Sequence, residues 1–553
     1  MLKFFILSAC LCTSVCVNAT TPAQAARDAA NGAFLAARKA EATTRAPYAN
    51  ETDRKLADTY TKREADWRNG ALVYQVIVDR FAPAKNIAAK KHLYPAPKVL
   101  RDWSEVPKQG KLLPEVRVWS HEIDFWGGDI QSLASKLDYV RALGTDVLYL
   151  NPIHLGYTNH KYDALDYMAV SPEYGTRADV KAMTDQAHGL GMKVVLDGVF
   201  NHMGRNAPIF QEALKNPNSP YRDWFYFGAQ YPGGARVWVD AENLPELNLE
   251  NPKVRAHLYA SADSVVQSYL RDGIDGWRLD TAPELGFNYL ADLTRAAHDA
   301  KPGSLVVGEV GNYPDQWFPS LDAVMNFSLR QIILHTAAQQ ISPRTSGEMM
   351  AKIIRDAGIE PMLKSWLLLD NHDTSRIATE LPDIAQRKLA QVLQFTLPGA
   401  PNLYYGSELG MVGGNDPEQR APMRWDLVSE INETLRWTKK LIALRQQHRA
   451  LRIGDFRLVT AEKLLAFERY TDRIEDSVIV LANPSKTAVT EIVMIPNAKL
   501  MNGQPLVDVL DESAKPVHMS TSLTTVTVPA GGVLILTPDT RTKAGYNSYK
   551  RVL

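Results

Sequence analysis

Cysteine is nearly absent from this sequence of 553 residues, and the three that occur lie within its first 16 residues, at positions 10, 12 and 16. That stretch has a basic residue near its start, continues with an apolar run and ends in small residues, which is typical of a secretory signal peptide. Cleavage after Ala19, giving a signal peptide of residues 1–19, or alternatively after Ala25, would leave a chain without cysteine. Such a chain excludes both disulfide bonds and thiol chemistry.

The cysteines leave a second interpretation of the amino terminus open. Leu7-Ser8-Ala9-Cys10 is similar to the attachment site of a lipoprotein, although the apolar run before Cys10 is short for that kind of signal. Either signal predicts an exported protein, periplasmic or extracellular, and the sequence does not distinguish these two places. No other apolar run is long enough to span a membrane, so we expect the mature form to lack a membrane segment.

Net charge is absent too, because 62 Lys and Arg residues balance 62 Asp and Glu residues. A neutral chain gives no electrostatic reason to expect nucleic acid, an anionic membrane surface or a polyanionic substrate as a partner. The length is enough for roughly two to four domains.

Eight strand-like segments follow one another from residue 72 onwards, and helix-period stretches such as 130–143, 177–190 and 254–271 fill most of the gaps. Eight alternations of strand and helix predict an α/β fold, the (β/α)8 TIM barrel, with its functional side chains at the carboxyl ends of the strands. The eight segments are 72–80, 146–151, 193–199, 273–279, 304–309, 323–328, 365–370 and 401–406.

Further regions surround the predicted barrel, which spans residues 71–450. Residues 20–70 are rich in Ala, Arg, Lys and Glu and predict a helical lead-in. The oversized gap after the third strand, 203–252, predicts a small excursion domain over the barrel mouth. Short alternating segments predict a C-terminal antiparallel β-sandwich over 451–538, followed by a polar, basic tail over 539–553.

Three strand-like runs, 273–280, 305–309 and 366–373, each end on a carboxylate: Asp280, Glu309 and Asp373. Apolar runs that finish on an acid are typical of buried parallel strands that deliver side chains to one end of a barrel. One such acid alone would be an ordinary solvated strand end, but three with matching flanks favour a shared site. Carboxylates gathered at one mouth drive their pKa values apart, as the acid and the nucleophile of glycosyl transfer require.

The neighbours of these acids fit the same chemistry. Arg278 precedes Asp280 by two residues, so both side chains point to the same face of a strand, and the cation predicts a lowered pKa for Asp280. His372 and Asp373 place a donor beside an acceptor, which suits a polyhydroxyl ligand. His202 has no second histidine at metal-ligand spacing, so a hydrogen-bonding or structural role is favoured over a zinc site.

Together these residues resemble the α-amylase family of glycoside hydrolases and transglycosylases (glycoside hydrolase family 13). The resemblance covers residues 72–540. It is carried by four blocks in the family's order, and three further blocks support it. The four are 197–202, 276–280, 308–309 and 371–373, and the supporting three are 125–129, 159–163 and 404–410.

The resemblance implies a role for each site residue. Asp280 would be the nucleophile, Glu309 the acid and base, and Asp373 would hold hydroxyls of the distorted sugar. Retention of anomeric configuration would follow, through a glycosyl-enzyme on Asp280, with the two carboxyl groups about 5–5.5 Å apart. Four side chains would line this subsite, one of them stacked on the sugar ring: Tyr162, which stacks, and His202, Arg278 and His372.

Two more blocks, at 244–248 and 413–425, are similar to those of the neopullulanase, cyclomaltodextrinase and maltogenic amylase group. In that group the residues that match Asp416 and Arg420 contact the sugar beyond the cleavage point. A structural salt bridge in a loop is the other interpretation of this pair. Group members usually carry a β-sandwich before the barrel that helps to form a dimer. In this chain only the lead-in precedes the barrel, so the oligomeric state stays open.

Calcium is the one metal that the resemblance suggests. Asn201 matches a residue that binds calcium in many amylases, but Asp and Asn are sparse in 203–235. A structural calcium ion is therefore left open, and the chemistry itself would require no cofactor.

The sequence thus predicts an exported, retaining hydrolase of α-1,4-glucosidic bonds in maltodextrins, cyclodextrins or starch, with an α-glucan as its partner. A first alternative uses the same site as a transglycosylase or isomerase of small α-glucosides. A second is a non-catalytic glucan-binding protein, against which the presence of both Asp280 and Glu309 argues.

Overall fold

The computed structural model describes residues 36, 40, 43, 46–511 and 513–553. The predicted signal peptide lies outside the described residues, and so does most of the first half of the predicted lead-in. In the described part of the chain no helix is both long enough and apolar enough to cross a membrane.

All eight predicted barrel strands are present, and they are parallel and close into a barrel in chain order, which confirms the (β/α)8 fold. Their residues are buried on both faces, which explains the continuous apolar runs in the sequence. The strands are Val73–Val76 (β1), Val147–Leu150 (β2), Lys193–Gly198 (β3), Gly276–Leu279 (β4), Leu305–Val310 (β5), Ala323–Asn326 (β6), Trp366–Leu368 (β7) and Ala400–Tyr404 (β8).

Several strands are shorter than predicted, and in two of them, β1 and β6, a side chain near the end of the strand caps other backbone. Asp79, predicted inside the first strand, accepts hydrogen bonds from the backbone N–H groups of Trp126 (3.1 Å) and Gly127 (2.9 Å). The chain there is already helical. Asn326 ends β6 and its side chain accepts from the N–H of Leu329 (2.9 Å), so a helix begins at once.

Helices surround the barrel, and two predicted helices are interrupted. The stretch 130–143 forms two short helices, and 254–271 is broken before Ser264, whose side chain caps a new helix by accepting from the N–H of Gln267 (3.4 Å). The main helices are Ile130–Ala134, Leu137–Ala142, Arg177–Gly189, Val265–Asp272, Phe287–Ala300, Phe327–Ala337, Pro343–Ala357, Ile384–Thr396 and Glu433–Gln447.

Two long connections rise over the carboxyl ends of the strands. The one after β3 holds the helix Pro208–Lys215 and short paired segments, such as the bridges Phe225–Leu247 and Val237–Pro245. The other follows β1 and was not predicted, because its strands are only two residues long and leave no periodic pattern in the sequence. Its strands are Val99–Leu100, Leu112–Leu113, Val118–Trp119 and Asp124–Phe125.

The C-terminal strands form an antiparallel sandwich around a separate apolar core, as predicted. Tyr549, in the segment predicted to be a polar tail, is buried in that core. The larger sheet has the strand order Asp455–Leu458, Leu465–Tyr470, Val478–Ala482, Val533–Pro538, Pro505–Asp508, Val517–His518, and the smaller sheet pairs Val489–Met494 with Leu523–Val528.

The described part of the lead-in is the helix Glu51–Ala65, and it connects the barrel with the sandwich. Its Arg63, which is 6% exposed, donates to Glu360 beside the barrel (2.7 Å) and to Asp455 of the sandwich (2.9 Å). A buried arginine held by two carboxylates fixes the orientation of all three elements.

A histidine without hydrogen-bond partners lies in the core between the barrel and its surrounding helices. Neither ring nitrogen of His154 has a partner among the described residues, and the ring packs against Tyr167, Tyr269 and Trp277. Burial, reinforced by the charge of Arg177, lowers the pKa of His154 to about 3. An exposed histidine in the unfolded chain has a pKa near 6.5, so unfolding in mild acid takes up a proton at this position.

We therefore expect His154 to cost stability in mild acid, and His154→Phe to remove that cost. Below pH 6.5 the unfolded chain binds a proton that the native protein excludes, so the free energy of unfolding falls as the pH falls. Urea unfolding at pH 7 and pH 5 should show a loss for the wild type that exceeds the loss for His154→Phe by about 1–2 kcal/mol. The exposed-histidine control His92→Phe should behave like the wild type. Equal losses in all three proteins would contradict the assignment.

Candidate active site

A cleft of about 1260 Å³ opens at the carboxyl ends of the barrel strands, between the connections that follow β1 and β3. Its floor and walls bring together seven of the predicted site residues, and Arg278 and His372 lie directly beneath them. The seven that line the cleft are Tyr162, His202, Asp280, Glu309, Asp373, Asp416 and Arg420.

The guanidinium of Arg278 is the centre of the site. It is fully buried, its Nη1 donates to both carboxylate oxygens of Asp197 (2.8 and 3.0 Å) and to Asp280 (3.1 Å), and its Nη2 lies 2.8 Å from Glu309 Oε2. Arg278 comes from β4, Asp197 from β3 and Glu309 from β5. One cation therefore holds carboxylates from three adjacent strands.

The pKa of Asp280 is raised well above its usual value, where the sequence predicted a lowered one. Burial is the main cause, the charge of Arg278 opposes it, and the carboxylates of Glu309, Asp197 and Asp373 raise the pKa further. The prediction was wrong because spacing along one strand shows the cation beside Asp280 but not the acids on neighbouring strands. Several acids share one cation, so the group of carboxylates retains protons that a single pair would lose.

The turn after Asp280 is strained and points at Glu309. Thr281 has a φ of 41°, in the left-handed region that β-branched residues rarely adopt. In this conformation its backbone N–H donates to Glu309 Oε2 at 3.1 Å. Strain of this kind persists where surrounding structure enforces it, and in this turn it fixes the carboxyl group of Glu309 relative to Asp280.

The three strand-end acids differ in their access to the cleft. The side chain of Asp280 is 10% exposed, that of Glu309 20% and that of Asp373 40%. Asp373 is held by His372 Nε2 at 3.0 Å and by Arg420 Nη2 at 3.2 Å. The most exposed acid is thus oriented by two residues that were also predicted.

His372 is held in one neutral form by a residue that the sequence analysis did not select. The amide nitrogen of Gln75 on β1 lies 2.9 Å from His372 Nδ1, so Nδ1 accepts and Nε2 carries the proton. Burial, together with the charges of Arg420 and Arg278, lowers the pKa of His372 well below its usual value. Its Nε2–H therefore faces Asp373 and the hydroxyl of Tyr162, which is 2.5 Å away.

Tyr162 lines the cleft and is held by a network of hydrogen bonds. Its hydroxyl accepts from Asn151 (2.9 Å) and donates to Asp197 (2.9 Å), and one face of its ring lies parallel to the ring of His372, with centroids 5.3 Å apart. Its predicted stacking on a sugar ring stays a prediction.

His202 lines the cleft and has one ring nitrogen without a hydrogen-bond partner among the described residues. The residue is buried, its ring packs against Trp238, and in the described structure its Nε2 has no hydrogen-bond partner. Burial lowers the pKa of His202 to about 3, so the ring is neutral at physiological pH. A buried polar atom without a partner, next to a cleft, is suited to a ligand hydroxyl.

Asp416 and Arg420 form an ion pair at the edge of the cleft, with Arg420 Nη1 3.3 Å from Asp416 Oδ1. Arg420 also donates to the backbone carbonyl of His372 (2.8 Å) and to Asp373. Although burial opposes the change, His121 and Arg420 lower the pKa of Asp416. The pair is thus a salt bridge in a loop that also lines the cleft, and its contact with a sugar stays a prediction.

The surroundings of Asn201 do not fit a calcium ion. Its side-chain nitrogen lies 3.4 Å from His202 Nδ1 and 3.5 Å from Glu284 Oε2, and its backbone carbonyl accepts from the N–H of Leu247 (2.9 Å). Within the described residues no group of three or more acidic, histidine or cysteine side chains is arranged so that it could hold a metal ion. Calcium takes six to eight oxygen ligands, so a calcium role for Asn201 stays a prediction without support from this geometry.

Several residues that line the cleft or lie buried beneath it were not predicted as site residues. Asp197, which binds Arg278, lies in a block that carries the family resemblance, and Gln75 is a polar residue inside an apolar strand, a signal that could have been used. Trp119 lines the cleft from the connection after β1 and Trp238 from the connection after β3, and neither lies in a sequence motif. Their positions depend on loops whose paths the sequence does not encode in a periodic pattern.

Curated relatives carry the names of the predicted group: cyclomaltodextrinase, neopullulanase and maltogenic amylase. The chain is 35% identical over 384 residues to a cyclomaltodextrinase of Bacillus sp, which covers 66% of this chain and 67% of that protein. It is 32% identical over 403 residues to the intracellular maltogenic amylase of Bacillus subtilis (strain 168), covering 71% of this chain and 64% of the relative.

A solved structure and a family model agree with these relatives. The ligand-free cyclic alpha-maltosyl-(1→6)-maltose hydrolase from Arthrobacter globiformis superposes with a TM-score of 0.71 at 27% identity, covering 86% of this chain and 99% of that one. The model of the alpha amylase catalytic domain matches residues 75–453, which include every predicted site residue. The chain therefore belongs to the α-amylase family of glycoside hydrolases, within the cyclomaltodextrinase and neopullulanase-like group.

Proposed function

We propose that the protein is a retaining hydrolase that cleaves α-1,4-glucosidic bonds in maltodextrins, cyclodextrins or starch through a covalent glycosyl-enzyme. The observation that carries the proposal is the fork of Arg278, which holds Asp280 by one Nη atom and Glu309 by the other. Two carboxyl groups on one guanidinium must lie close together. This arrangement is compatible with the spacing of about 5–5.5 Å found in retaining pairs.

In the first step Glu309 gives its proton to the glycosidic oxygen, and Asp280 attacks the anomeric carbon. The bond to the leaving sugar breaks and an ester forms between the carbon and Asp280. In the second step Glu309, now a carboxylate, takes a proton from water, whose oxygen attacks the same carbon and releases Asp280. This step requires one proton on Glu309 and none on Asp280, and the hydrogen bond from Arg278 Nη1 stabilises the charged form of Asp280.

The other cleft residues would position the sugar. His202 Nε2 is unpaired in the described structure, and Asp373 is the most exposed of the three acids, so both are suited to sugar hydroxyls. Nucleophile, acid and stabilising cation are all side chains of this chain. We propose that the chemistry needs no bound cofactor.

A panel of four substrates tests the proposal: β-cyclodextrin, soluble starch, pullulan and maltotriose, with the products separated by chromatography. Because the relatives include a cyclomaltodextrinase and a neopullulanase, we expect preferential opening of β-cyclodextrin and release of panose from pullulan. Rapid loss of starch viscosity with little cyclodextrin turnover would indicate an α-amylase with an open cleft instead. No product from any of the four would contradict the proposed function. Transfer products at high maltotriose concentration would measure the transglycosylation that the sequence left open.

We also infer that the protein is exported, because its first 19 residues have the pattern of a signal peptide. Two relatives carry "intracellular" in their names, so the inference depends on this pattern alone. Amino-terminal sequencing of the protein from the native host should find a start at Thr20 or Ala26 outside the cytoplasm. An unprocessed chain in the cytoplasmic fraction would overturn the inference.

A further inference from the structure

An exposed tryptophan lies at the edge of the cleft on the connection between β1 and β2. We call residues 110–125 of that connection the arm. Trp119 of the arm is 44% exposed and lines the cleft, although most large apolar side chains of the protein are buried. An indole that faces a ligand cleft presents a flat apolar surface at low conformational cost.

The arm is fixed in place by contacts with both sides of the cleft. The side chain of Asn159 donates to the backbone carbonyl of His121 (2.8 Å), and its N–H donates to that of Glu122 (2.7 Å). Glu122 in turn contacts His160 at 3.2 Å. On the opposite side Arg117 forms an ion pair with Glu242 of the connection after β3. Trp119 is thus held before any ligand arrives, which reduces the entropy cost of binding.

A chain of contacts leads from Trp119 to the catalytic acids. Its ring lies 6.2 Å from the ring of His121, and His121 Nε2 lies 3.8 Å from Asp416. His121 Nδ1 accepts from the N–H of Gly110 (3.0 Å), so Nε2 carries the proton that faces Asp416. Asp416 pairs with Arg420, which contacts Asp373. Trp119 therefore lies beyond the sugar that Asp373 would hold, on the Asp416 side.

We propose that Trp119 is a stacking platform for a glucose unit beyond the cleavage site on the Asp416 side, and that it makes the enzyme selective for longer or cyclic α-glucans. The proposal rests on the proposed function, because it names the substrate class of the same cleft. A substrate with a single glucose unit would occupy only the position that Asp373 contacts. Maltohexaose or β-cyclodextrin would occupy both the catalytic site and the position beside Trp119, and would gain the stacking energy.

Steady-state kinetics with maltohexaose and with p-nitrophenyl α-glucoside tests the platform. In Trp119→Ala the ratio of kcat/KM for maltohexaose to kcat/KM for the glucoside should fall about tenfold, the usual size of one aromatic contact. Trp119→Phe should restore most of the ratio, because it keeps a flat ring. Val106→Ala, which changes another exposed residue of the same connection, should leave the ratio unchanged. The proposal would be overturned if Trp119→Ala and the wild type had the same ratio, whether kcat/KM fell for both substrates or for neither.

A binding measurement separates this proposal from the proposed function. Calorimetric titration of the Glu309→Gln protein with β-cyclodextrin reads affinity without turnover. A Kd about tenfold weaker in Trp119→Ala/Glu309→Gln than in Glu309→Gln supports the platform even if the wild type hydrolyses neither kinetic substrate. Equal Kd values would overturn the proposed role of Trp119. Hydrolysis by the wild type would then still support the proposed function.

Discussion

Replacing Asp280 by Asn should lower kcat on maltohexaose by on the order of 10⁴-fold or more, because the amide cannot attack the anomeric carbon. The substitution keeps the shape of the side chain and an oxygen that can accept from Arg278. It also removes one acid from a group whose mutual repulsion and burial raise the pKa of Asp280. The melting temperature of Asp280→Asn should therefore equal or exceed that of the wild type.

The matched control is Asp240→Asn, which changes an exposed acid at the rim of the same cleft. Its kcat should stay within about twofold of the wild type, as is usual for surface changes away from the chemistry. An Asp280→Asn protein with a normal melting temperature and a kcat within tenfold of the wild type would contradict the nucleophilic role of Asp280.

Replacing Glu309 by Gln should give the second largest effect, a fall in kcat of roughly 10²- to 10⁴-fold on maltooligosaccharides. The amide can neither protonate the leaving sugar nor activate water. A substrate whose leaving group needs no proton, α-glucosyl fluoride, should still react with Asp280. The glucosyl-enzyme should then accumulate and be detectable by mass spectrometry on the peptide that contains Asp280.

External azide distinguishes loss of the base from general damage to the site. Azide attacks the anomeric carbon without a base, so it should accelerate turnover of α-glucosyl fluoride by Glu309→Gln and yield α-glucosyl azide. The wild type should show no such acceleration. Turnover of Glu309→Gln that azide does not change, without any accumulated glucosyl-enzyme, would assign the acid and base role to another residue.

Asp280 and Glu309 do not form simple ion pairs, because both share the guanidinium of Arg278. Three carboxylates meet one buried guanidinium, so their charges are not fully balanced within the contacts of that cation. Removing Arg278 would leave three buried carboxylates without their cation, whereas removing one of the three carboxylates reduces the imbalance of charge. The group of carboxylates can therefore hold a proton that is transferred during the reaction. The unbalanced charge makes the folded protein less stable.

The convergence of the acids can be predicted from the sequence, because the carboxyl ends of parallel barrel strands always meet at one end. Asp280, Glu309 and Asp373 each follow an apolar run, and the structure brings them to one cleft. The same reasoning yields Arg278, since it shares a strand face with Asp280. These inferences use only the two-residue period of a strand and the closure of the barrel.

Contacts between side chains of different strands leave no local signal in the sequence. The contact of Arg278 with Glu309 and Asp197 spans three strands, and for that reason the direction of the pKa shift of Asp280 was predicted wrongly. The arm with Trp119 was not predicted, because its strands are only two residues long and give no periodic signal. Its course is set by tertiary contacts, such as those of Asn159 with its backbone.

The anomeric form of the first product tests the central claim most directly. Proton NMR during the first minutes of maltohexaose hydrolysis, before mutarotation, distinguishes α from β reducing ends. A double displacement through Asp280 predicts that the new reducing ends appear in the α form and only later equilibrate to the β form. Initial release of the β form would show a single displacement by water, and it would contradict both the glycosyl-enzyme and the proposed roles of Asp280 and Glu309.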